Sequence, residues 1–392
     1  MKLAIPKETY PGENRVALIP QSIKPLSSAG FEVILESGAG EKAGYLDIEY
    51  KEKGAQIMES RQELFDSADI ILQVRGYGAN QDAGTADLKL LKKNQVVIGM
   101  MEPLDAPEAN SKLAETGVTA LALELMPRIT RAQNMDVLSS MATISGYKAV
   151  LLAANHLPRM FPLLMTAAGT LAPAKSFIIG AGVAGLQAIS TAKRLGSVVS
   201  AYDVRPAVKE QVQSLGAKFV EMELETSGAE DKGGYAKTMG EDFYRKQREL
   251  MAKVLETSDV VITTAAVPGK KAPLLITADM VKVMNHGSVI VDLAIERGGN
   301  CELTQSDKII TRHGVLIIGT TNLPSTVPYH ASQMYAKNLT NLLLHMIGGG
   351  KFEVNPEDEI IKSITIARDG KIVNPQINEL LNHQPDEKLK GA

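Results

Sequence analysis

The chain has 392 residues and a formal net charge of −3, enough length for two domains that each bury a sizeable core. The near-balanced charge provides no basic field that would attract nucleic acid. The single cysteine, Cys301, excludes an internal disulfide framework and fits a reducing compartment; we interpret it as a packing or incidental residue and not as a catalytic thiol. The six histidines show no metal-ligand spacing, so no metal is expected.

Neither a signal peptide nor a membrane span is expected. The first residues, MKLAIPKE, enter a strand directly, and no run of apolar residues approaches the ~18–20 that a membrane span needs. The sequence therefore predicts a soluble protein of the cytoplasm.

From the first residue, short apolar segments of strand character alternate with helix-like segments of mixed polarity. This alternation predicts an α/β protein with two domains, each built on a doubly wound parallel sheet. The strand segments of the first series are residues 3–5, 31–35, 70–74, 96–99 and 118–123, and those of the second are residues 198–201, 218–220, 260–263, 288–292 and 315–318.

Between the two series lies SFIIGAGVAGLQAISTAKRLGSVVSAYDVR, residues 176–205, with the order strand, glycine turn, helix, strand and acid. Gly180 permits the tight turn, Gly182 lets backbone N–H groups approach a pyrophosphate, and Gly185 lets the helix pack closely on the sheet. Asp203 follows where an acid binds the ribose hydroxyls of adenosine. We expect a bound dinucleotide; the alternative is a structural unit of the same build without a ligand.

The same acid distinguishes the two nicotinamide dinucleotides. A 2′-phosphate beside the carboxylate of Asp203 would bring like charges together, which favours NAD over NADP. Arg205 is either a receiver for such a phosphate, a solvated charge or a contact to the edge of adenine. The dinucleotide contacts expected in this segment are Gly180, Gly182, Val183, Ala184, Gly185, Asp203, Val204 and Arg205.

The mid-chain position of this motif predicts an inserted domain. A Rossmann NAD-binding domain should occupy residues 137–327, while residues 1–136 and 328–392 together form a discontinuous flavodoxin-like or Rossmann-like domain. Helices at about 134–154 and 332–346 should connect the two, with the ligand in the cleft between the domains. Residues 363–373 (SITIARDGKIV) predict a hairpin with Asp369-Gly370 at its turn, and residues 383–392 a polar tail.

Residues 226–239, TSGAEDKGGYAKTM, are a polar, glycine-rich segment between a predicted strand and a predicted helix. The segment is longer than most such connections, which indicates either a functional lid or plain surface disorder. Tyr235 is the residue that a lid would place over a bound nucleotide.

A second polar cluster precedes the glycine motif. Arg128 comes before Gln133, and Asp136 and Ser139 follow at three-residue steps. On the first turns of a helix this spacing places the polar side chains along one face. A cation, an amide, a carboxylate and a hydroxyl together can clamp a nicotinamide carboxamide and its ribose. The alternative is an ordinary helix capped by Asn134 or Asp136.

The stretch ELMPRITRAQNMDVLSSMATISGYKAV, residues 124–150, followed by GAGVAGLQAI, GGYAK, TTAAVPGKKAP and VDLAIERGGNC, resembles one family. It is similar to the NAD(H)-binding component, domain I of the α subunit, of proton-translocating NAD(P) transhydrogenases. The resemblance runs from KLAIPKE to about residue 345. The RAQ…D…SS loop is its most specific element, because the other motifs are shared with alanine dehydrogenase, a relative of the same two-domain build.

The resemblance implies how this chain acts. Gln133 would lie closest to the nucleotide of the partner, which is NADP(H) on the NADP(H)-binding domain of the β subunit. The chain would be a homodimer, peripheral to the inner face of the cytoplasmic membrane, with proton translocation in separate membrane-spanning subunits. The catalytic residues implied are Arg128, Gln133, Asp136 and Ser139; these also contact the nicotinamide end of NAD or NADH, together with Tyr235, Thr264 and Ala265.

An NAD-dependent dehydrogenase that resembles alanine dehydrogenase is the alternative enzyme. Such an enzyme needs a general acid beside its substrate, whereas hydride transfer between two nicotinamide rings needs only rings held roughly 3–3.5 Å apart. Alanine dehydrogenases place an Arg, a Lys, a His and an Asp at their site. Arg15 matches the first, but Arg75 replaces the Lys. Met100-Met101 stand where the His falls, and Glu296 replaces the Asp.

These differences favour the transhydrogenase over the dehydrogenase. Arg15 is then expected to be a structural or interdomain charge, with residual anion binding left open. An NAD sensor without catalysis is the non-enzymatic alternative.

Overall fold

The computed structural model describes residues 1–221, 241–267 and 269–382, without the side chains of residues 241, 242 and 244. The chain divides into two compact units. Unit 1 comprises Met1–Met141 with Ser325–Ala392, and unit 2 comprises Ala142–Pro324. The domain limits expected at 136/137 and 327/328 remain predictions. The predicted lid segment 226–239 with Tyr235, and the predicted tail 383–392, lie outside the described residues.

The N-terminal segment of unit 1 alternates strands and helices, as the sequence predicts. Strand β3 is an addition that three residues of mixed burial did not reveal. The strands are β1 (Lys2–Ile5), β2 (Glu32–Glu36), β3 (Gln56–Met58), β4 (Ile70–Arg75), β5 (Val96–Met100) and β6 (Thr119–Ala122). The helices are α1 (Pro20–Ser28), α2 (Asp47–Glu52), α3 (Arg61–Ser67), α4 (Gln81–Leu88) and α5 (Pro107–Glu115), with 3-10 helices at Glu41–Ala43, Tyr77–Ala79, Leu123–Leu125 and Thr130–Met135.

Unit 2 repeats the alternation after a long helix that begins in unit 1. Its helices are α6 (Val137–His156), α7 (Val183–Arg194), α8 (Lys209–Ser214), α9 (Glu241–Leu255) and α10 (Ala278–Lys282), with 3-10 helices at Pro206–Val208, Ile295–Arg297 and Leu323–Thr326. Its strands are β7 (Leu164–Thr166), β8 (Gly169–Leu171), β9 (Lys175–Ile179), β10 (Val198–Tyr202), β11 (Lys218–Phe219), β12 (Val260–Thr263), β13 (Val289–Asp292), β14 (Ile309–Arg312) and β15 (Val315–Ile318).

The C-terminal segment returns to unit 1. Its elements are α11 (Pro328–His345), β16 (Ile347–Gly348), β17 (Lys351–Phe352), α12 (Glu359–Ile364), β18 (Thr365–Arg368), β19 (Lys371–Ile372) and α13 (Pro375–Asn382). The hairpin predicted with Asp369-Gly370 at its turn is confirmed, since both turn residues have positive φ, 51° and 81°. Ser363, expected at its start, belongs instead to α12, which Asp358 caps by accepting from the backbone N–H groups of Ile360 and Ile361.

The two main sheets have the doubly wound order. The unit 1 sheet runs β19-β18-β6-β5-β4-β1-β2-β3, and β18 is antiparallel to β6, so the C-terminal hairpin extends the N-terminal sheet. The unit 2 sheet runs β11-β10-β9-β12-β13-β15-β14. Its strands are parallel except β14, an antiparallel edge strand that the sequence analysis missed. The α/β fold with two mainly parallel sheets is confirmed.

The central strands of unit 2 are buried on both faces. Ile178 of β9 packs in one apolar cluster, and its neighbours Phe177 and Ile179 pack in a second cluster. Alternate residues of β12 divide in the same way, with Val261 in the second cluster. Because both faces are covered, these strands are continuous apolar runs, which is why they are easily found in the sequence.

By length and composition, one helix among the described residues could cross a membrane, whereas the sequence analysis expected none. This is α6, with a mean hydropathy of 1.4 over an 18-residue window, 39% of which is buried within the protein. Ala149, Val150 and Ala153 of α6 lie in the core of unit 2. Core packing therefore accounts for some of its apolar composition.

Candidate functional site

A glycine turn joins β9 to α7 at the carboxyl end of the unit 2 sheet. Gly180 has φ of 97°, a conformation that L side chains rarely adopt, and Gly182 is the N-cap of α7. A Cβ on Gly185 would lie 1.9 Å from the carbonyl oxygen of Gly180. A Cβ on Gly182 would meet nothing within 4 Å. The turn is therefore tight on its inner side and open where α7 begins.

Helix α6 crowds the same turn from another side. A Cβ on Gly146 would lie 2.1 Å from the carbonyl oxygen of Ala184, in the first turn of α7. Val183, the residue before it, is 39% exposed. Gly146 was missed by the sequence analysis, because a glycine inside a helical pattern carries no signal of what it touches.

Asp203, directly after β10, is bonded to the glycine turn and to an arginine. Its Oδ2 accepts from the backbone N–H of Ala181 at 2.7 Å and from Nη2 of Arg205 at 2.9 Å. Its Oδ1 accepts from Nε of Arg205 at 3.0 Å. The side chain of Arg205 is only 13% exposed, so its interpretation as a solvated charge is wrong. The carboxylate expected at the ribose is already oriented by the turn, and it is paired with a cation.

The loop after β12 lies against the glycine turn, as the expected contacts Thr264 and Ala265 require. The hydroxyl of Thr264 donates to the carbonyl oxygen of Gly180 at 3.1 Å. The amide of Asn300 bonds both backbone groups of Ala265, accepting from its N–H at 3.1 Å and donating to its oxygen at 2.8 Å. Asn300 is fully buried, and it was missed as a residue that shapes this loop.

Asp292, at the end of β13, organises the neighbouring loop. It is 1% exposed and accepts from the hydroxyl of Thr263 at 2.9 Å and from the backbone N–H groups of Ala294, Asn300 and Cys301 at 2.8–3.0 Å. A buried carboxylate with this many donors is satisfied by the fold itself. The VDLAIERGGNC motif is thus a structural support for the loop that contains Ala265.

In unit 1, the loop expected to hold the nicotinamide is not a continuation of α6. Residues Thr130–Met135 form a 3-10 helix, and Asp136 is extended with ψ of 97° before α6 begins. The prediction that Gln133, Asp136 and Ser139 share one helix face is therefore wrong. Arg128 precedes even the 3-10 helix.

The capping alternative is confirmed at Asp136. Its Oδ1 accepts from the backbone N–H of Ser139 at 3.0 Å, and its Oδ2 accepts from the Ser139 hydroxyl at 2.5 Å. Arg128 and Gln133 are exposed, whereas Ala132 and Met135 are buried. The loop is thus anchored by apolar side chains and presents its polar side chains outward.

A buried charge cluster occupies the carboxyl ends of β1 and β4. Arg15 donates from Nε and Nη2 to the two carboxylate oxygens of Glu13, both at 2.7 Å, and the two residues are 2% and 1% exposed. Nε of Arg75 lies 3.3 Å from Glu13 Oε2, and its guanidinium carbon lies 4.4 Å from the ring centre of Tyr10. Arg15 is therefore a structural charge, as expected.

Two carboxyls beside this cluster have perturbed acidities. Burial alone would raise the pKa of Glu13, but attraction to Arg15 and hydrogen bonds from it lower that pKa to about 2. Burial, with a smaller effect of the Glu13 carboxylate, raises the pKa of Glu8 to about 8. Near neutral pH Glu13 is the charged carboxylate that faces the arginines, and Glu8 is mostly protonated.

The other positions that differ from alanine dehydrogenase are engaged in the fold. Met101 is fully buried, and its backbone N–H donates to Oε1 of Glu124 at 2.6 Å. Burial, with a further effect of Glu102, raises the pKa of Glu124 to about 8. Glu296 accepts from the backbone N–H of Asn322 at 2.6 Å. Glu124 was missed by the sequence analysis, since a lone Glu after a strand has no distinctive pattern.

Comparison with known proteins identifies the family. The model "Alanine dehydrogenase/PNT, N-terminal domain" matches residues 4–145, and "Alanine dehydrogenase/PNT, C-terminal domain" matches residues 149–375. The first of the polypeptides that make up the NAD(P) transhydrogenase subunit alpha of Rhodospirillum rubrum is 48% identical over 380 residues, covering 96% of this chain and 99% of that protein.

Two solved structures share the whole fold. The transhydrogenase from Sinorhizobium meliloti has a TM-score of 0.82 at 42% identity, covering 96% of this chain and 99% of its own. An L-alanine dehydrogenase has a TM-score of 0.81 at 25% identity, covering 97% of this chain and 99% of its own. The two folds are almost equally similar to this one, so sequence identity and not shape distinguishes the branches. The chain belongs to the alanine dehydrogenase/PNT family, and within that family to the α subunits of NAD(P) transhydrogenases.

Proposed function

We propose that this chain binds NAD(H) and exchanges hydride with NADP(H) held by a partner component of the transhydrogenase. The observation that carries the proposal is the 48% identity to a transhydrogenase α subunit polypeptide over 99% of that protein's length. The coupled proton movement would take place in separate membrane-spanning subunits, through which this chain lies at the inner face of the cytoplasmic membrane. We further propose that the chain acts as a homodimer.

The residues of unit 2 fit a dinucleotide. Open space at Gly182 and the start of α7 suit a pyrophosphate, because backbone N–H groups and the helix dipole favour an anion there. Asp203 is oriented by Ala181 to meet ribose hydroxyls. Its pairing with Arg205 weakens the charge argument against a 2′-phosphate. The preference for NAD over NADP therefore rests on the ribose hydrogen bonds as well as on charge.

The residues of unit 1 are proposed to hold the nicotinamide end. Arg128 and Gln133 present exposed polar groups from the 130–135 loop and the residues before it, and Asp136 and Ser139 form a hydrogen-bonded pair at the start of α6. Bound NADH supplies the hydride. The task of these side chains is to orient a ring and exclude water, since no proton has to be delivered.

The charge cluster of unit 1 argues against the dehydrogenase alternative. A 2-oxo acid needs a cation for its carboxylate, but both oxygens of Glu13 occupy the Arg15 guanidinium in the buried core. The strand end with Met100 and Met101 offers no imidazole. A substrate carboxylate would have to displace an internal ion pair.

The experiment mixes this chain with the NADP(H)-binding component and follows reduction of an NAD analogue by NADPH. Rapid transfer that requires both proteins is the expected result. Absence of transfer with a partner shown to hold NADPH would contradict the proposal. Turnover of a 2-oxo acid and ammonia by this chain alone would favour the dehydrogenase, and NADH binding without any transfer would leave the sensor.

Asp203→Asn should weaken NADH binding by about 1–3 kcal/mol, because the amide retains one acceptor oxygen and loses the charge that the ribose hydroxyls and Arg205 meet. Binding is measured by NADH fluorescence. Glu210→Gln, an exposed acidic residue of α8, is the control and should bind as the wild type does. Unchanged NADH affinity of Asp203→Asn would remove Asp203 from the proposed site.

A further inference from the structure

Two asparagine side chains of α11 hold the backbone of the 130–135 loop. Nδ2 of Asn338 and Nδ2 of Asn341 each donate to the carbonyl oxygen of Asn134, both at 2.9 Å. Because the two residues are three apart on a helix, their side chains lie on the same face. Their shared acceptor lies between Gln133 and Asp136 in the chain, within the segment proposed to contact the nicotinamide.

The environment of Asn338 indicates that its amide is used for this bond. The residue is 6% exposed, and its Oδ1 has no hydrogen-bond partner among the described residues. An unsatisfied buried acceptor is unfavourable, and an apolar side chain of the same size would avoid it. Packing alone therefore does not explain an amide here, whereas the hydrogen bond to Asn134 does.

The other contacts of the loop leave its polar backbone to these amides. Ala132 and Met135 anchor it through apolar burial. Arg131 approaches Asp358 and Glu359 only at 3.9 and 3.8 Å, and its side chain is 60% exposed, so these ion pairs contribute little. Apolar anchors fix the depth of a segment, but hydrogen bonds to one carbonyl also fix the orientation of the peptide.

We propose that Asn338 and Asn341 are positioning residues for hydride transfer. By fixing the Asn134 carbonyl they hold the peptide that follows Gln133, and thereby the direction in which the Gln133 side chain leaves the loop. This inference rests on the proposed function, in which Gln133 places the nicotinamide ring. An error of about 1 Å in such placement costs up to 10²-fold in rate while ground-state binding changes little.

The test compares Asn338→Leu, Asn341→Leu and the double variant with the wild type. Each single variant should slow hydride transfer by about threefold to tenfold at saturating nucleotide, as expected for one lost hydrogen bond, and the double variant by more. The Kd for NADH should stay within about twofold. The matched control is Thr340→Val on the same helix, since the buried Thr340 hydroxyl donates to Ala336 within α11 and not to the loop.

A second readout is independent of activity. Hydrogen–deuterium exchange of backbone amides in residues 130–137 should quicken in the asparagine variants, with exchange in the unit 1 sheet unchanged. Wild-type transfer rates in both single variants would overturn the inference, and so would an equal loss in Thr340→Val. A fall in NADH affinity that matches the fall in rate would assign these asparagines to binding instead. Failure of the wild type to transfer hydride at all would instead reject the proposed function, so the two failures are distinguishable.

Discussion

Replacing Glu13 by Gln should lower the free energy of unfolding by about 3–5 kcal/mol, because it removes one partner of a buried ion pair. Arg15 is 2% exposed and directs two N–H groups at the lost charge, and Arg75 lies 3.3 Å from the same carboxylate. Glu8 cannot compensate near pH 7, since its pKa of about 8 leaves it mostly protonated. Chemical denaturation by urea measures the effect.

Two controls make the Glu13 result specific. Glu32→Gln removes an exposed partner that lies 3.9 Å from Lys2, and should cost less than about 1 kcal/mol. The double variant Glu13→Gln with Arg15→Met removes both charges, so it should recover much of the loss. If Glu13→Gln were as mild as Glu32→Gln, the cluster would not be a buried ion pair in solution.

The same pair has a signature in pH. The pKa of Glu13 is lowered from 4.5 in the unfolded chain to about 2 in the folded protein, so its stabilisation is complete above pH 4.5 and is lost as pH falls towards 2. In Glu13→Gln that contribution to the acid dependence should disappear. An unchanged slope of unfolding free energy between pH 4.5 and 2 would contradict the assignment.

How far the sequence predicted the fold depends on how local each signal is. Ile178 and Val261 belong to strands that are apolar on both faces, so their position in the sheet can be read from composition alone. Strand β14 (Ile309–Arg312) pairs with only one neighbour and is mostly exposed, so its residues carry no comparable pattern. The hairpin at Asp369 was predictable because its turn chemistry is confined to two residues.

The candidate site divides along the same line. Gly180, Gly185 and Asp203 act through a turn within one strand–helix–strand unit, and fixed spacing encodes that unit. Asn300 and Asn338, by contrast, act on the backbone of segments distant in sequence, Ala265 and Asn134. Nothing in the local sequence distinguishes such an amide from an exposed one. The 3-10 helix before Asp136 was missed for the related reason that a capped break and a continuous helix share the same three-residue spacing.

Gly185→Ala should lower the free energy of unfolding by at least about 2–3 kcal/mol and abolish measurable NADH binding. Its Cβ would stand 1.9 Å from the Gly180 carbonyl oxygen, and backbone on both sides prevents an easy adjustment. Gly146→Ala, with its Cβ 2.1 Å from the Ala184 oxygen, should be destabilising for the same reason. Thermal unfolding and NADH fluorescence measure the two effects separately.

Gly182→Ala is the variant that separates folding from binding. A methyl group there meets nothing within 4 Å, and φ of −75° is accessible to alanine, so stability should change by less than about 1 kcal/mol. The methyl would enter the space that the proposed pyrophosphate needs, and NADH affinity should fall at least tenfold. Wild-type NADH affinity in Gly182→Ala would show that the pyrophosphate does not approach α7 at this residue. A loss of stability equal to that of Gly185→Ala would show that the turn is not open on this side.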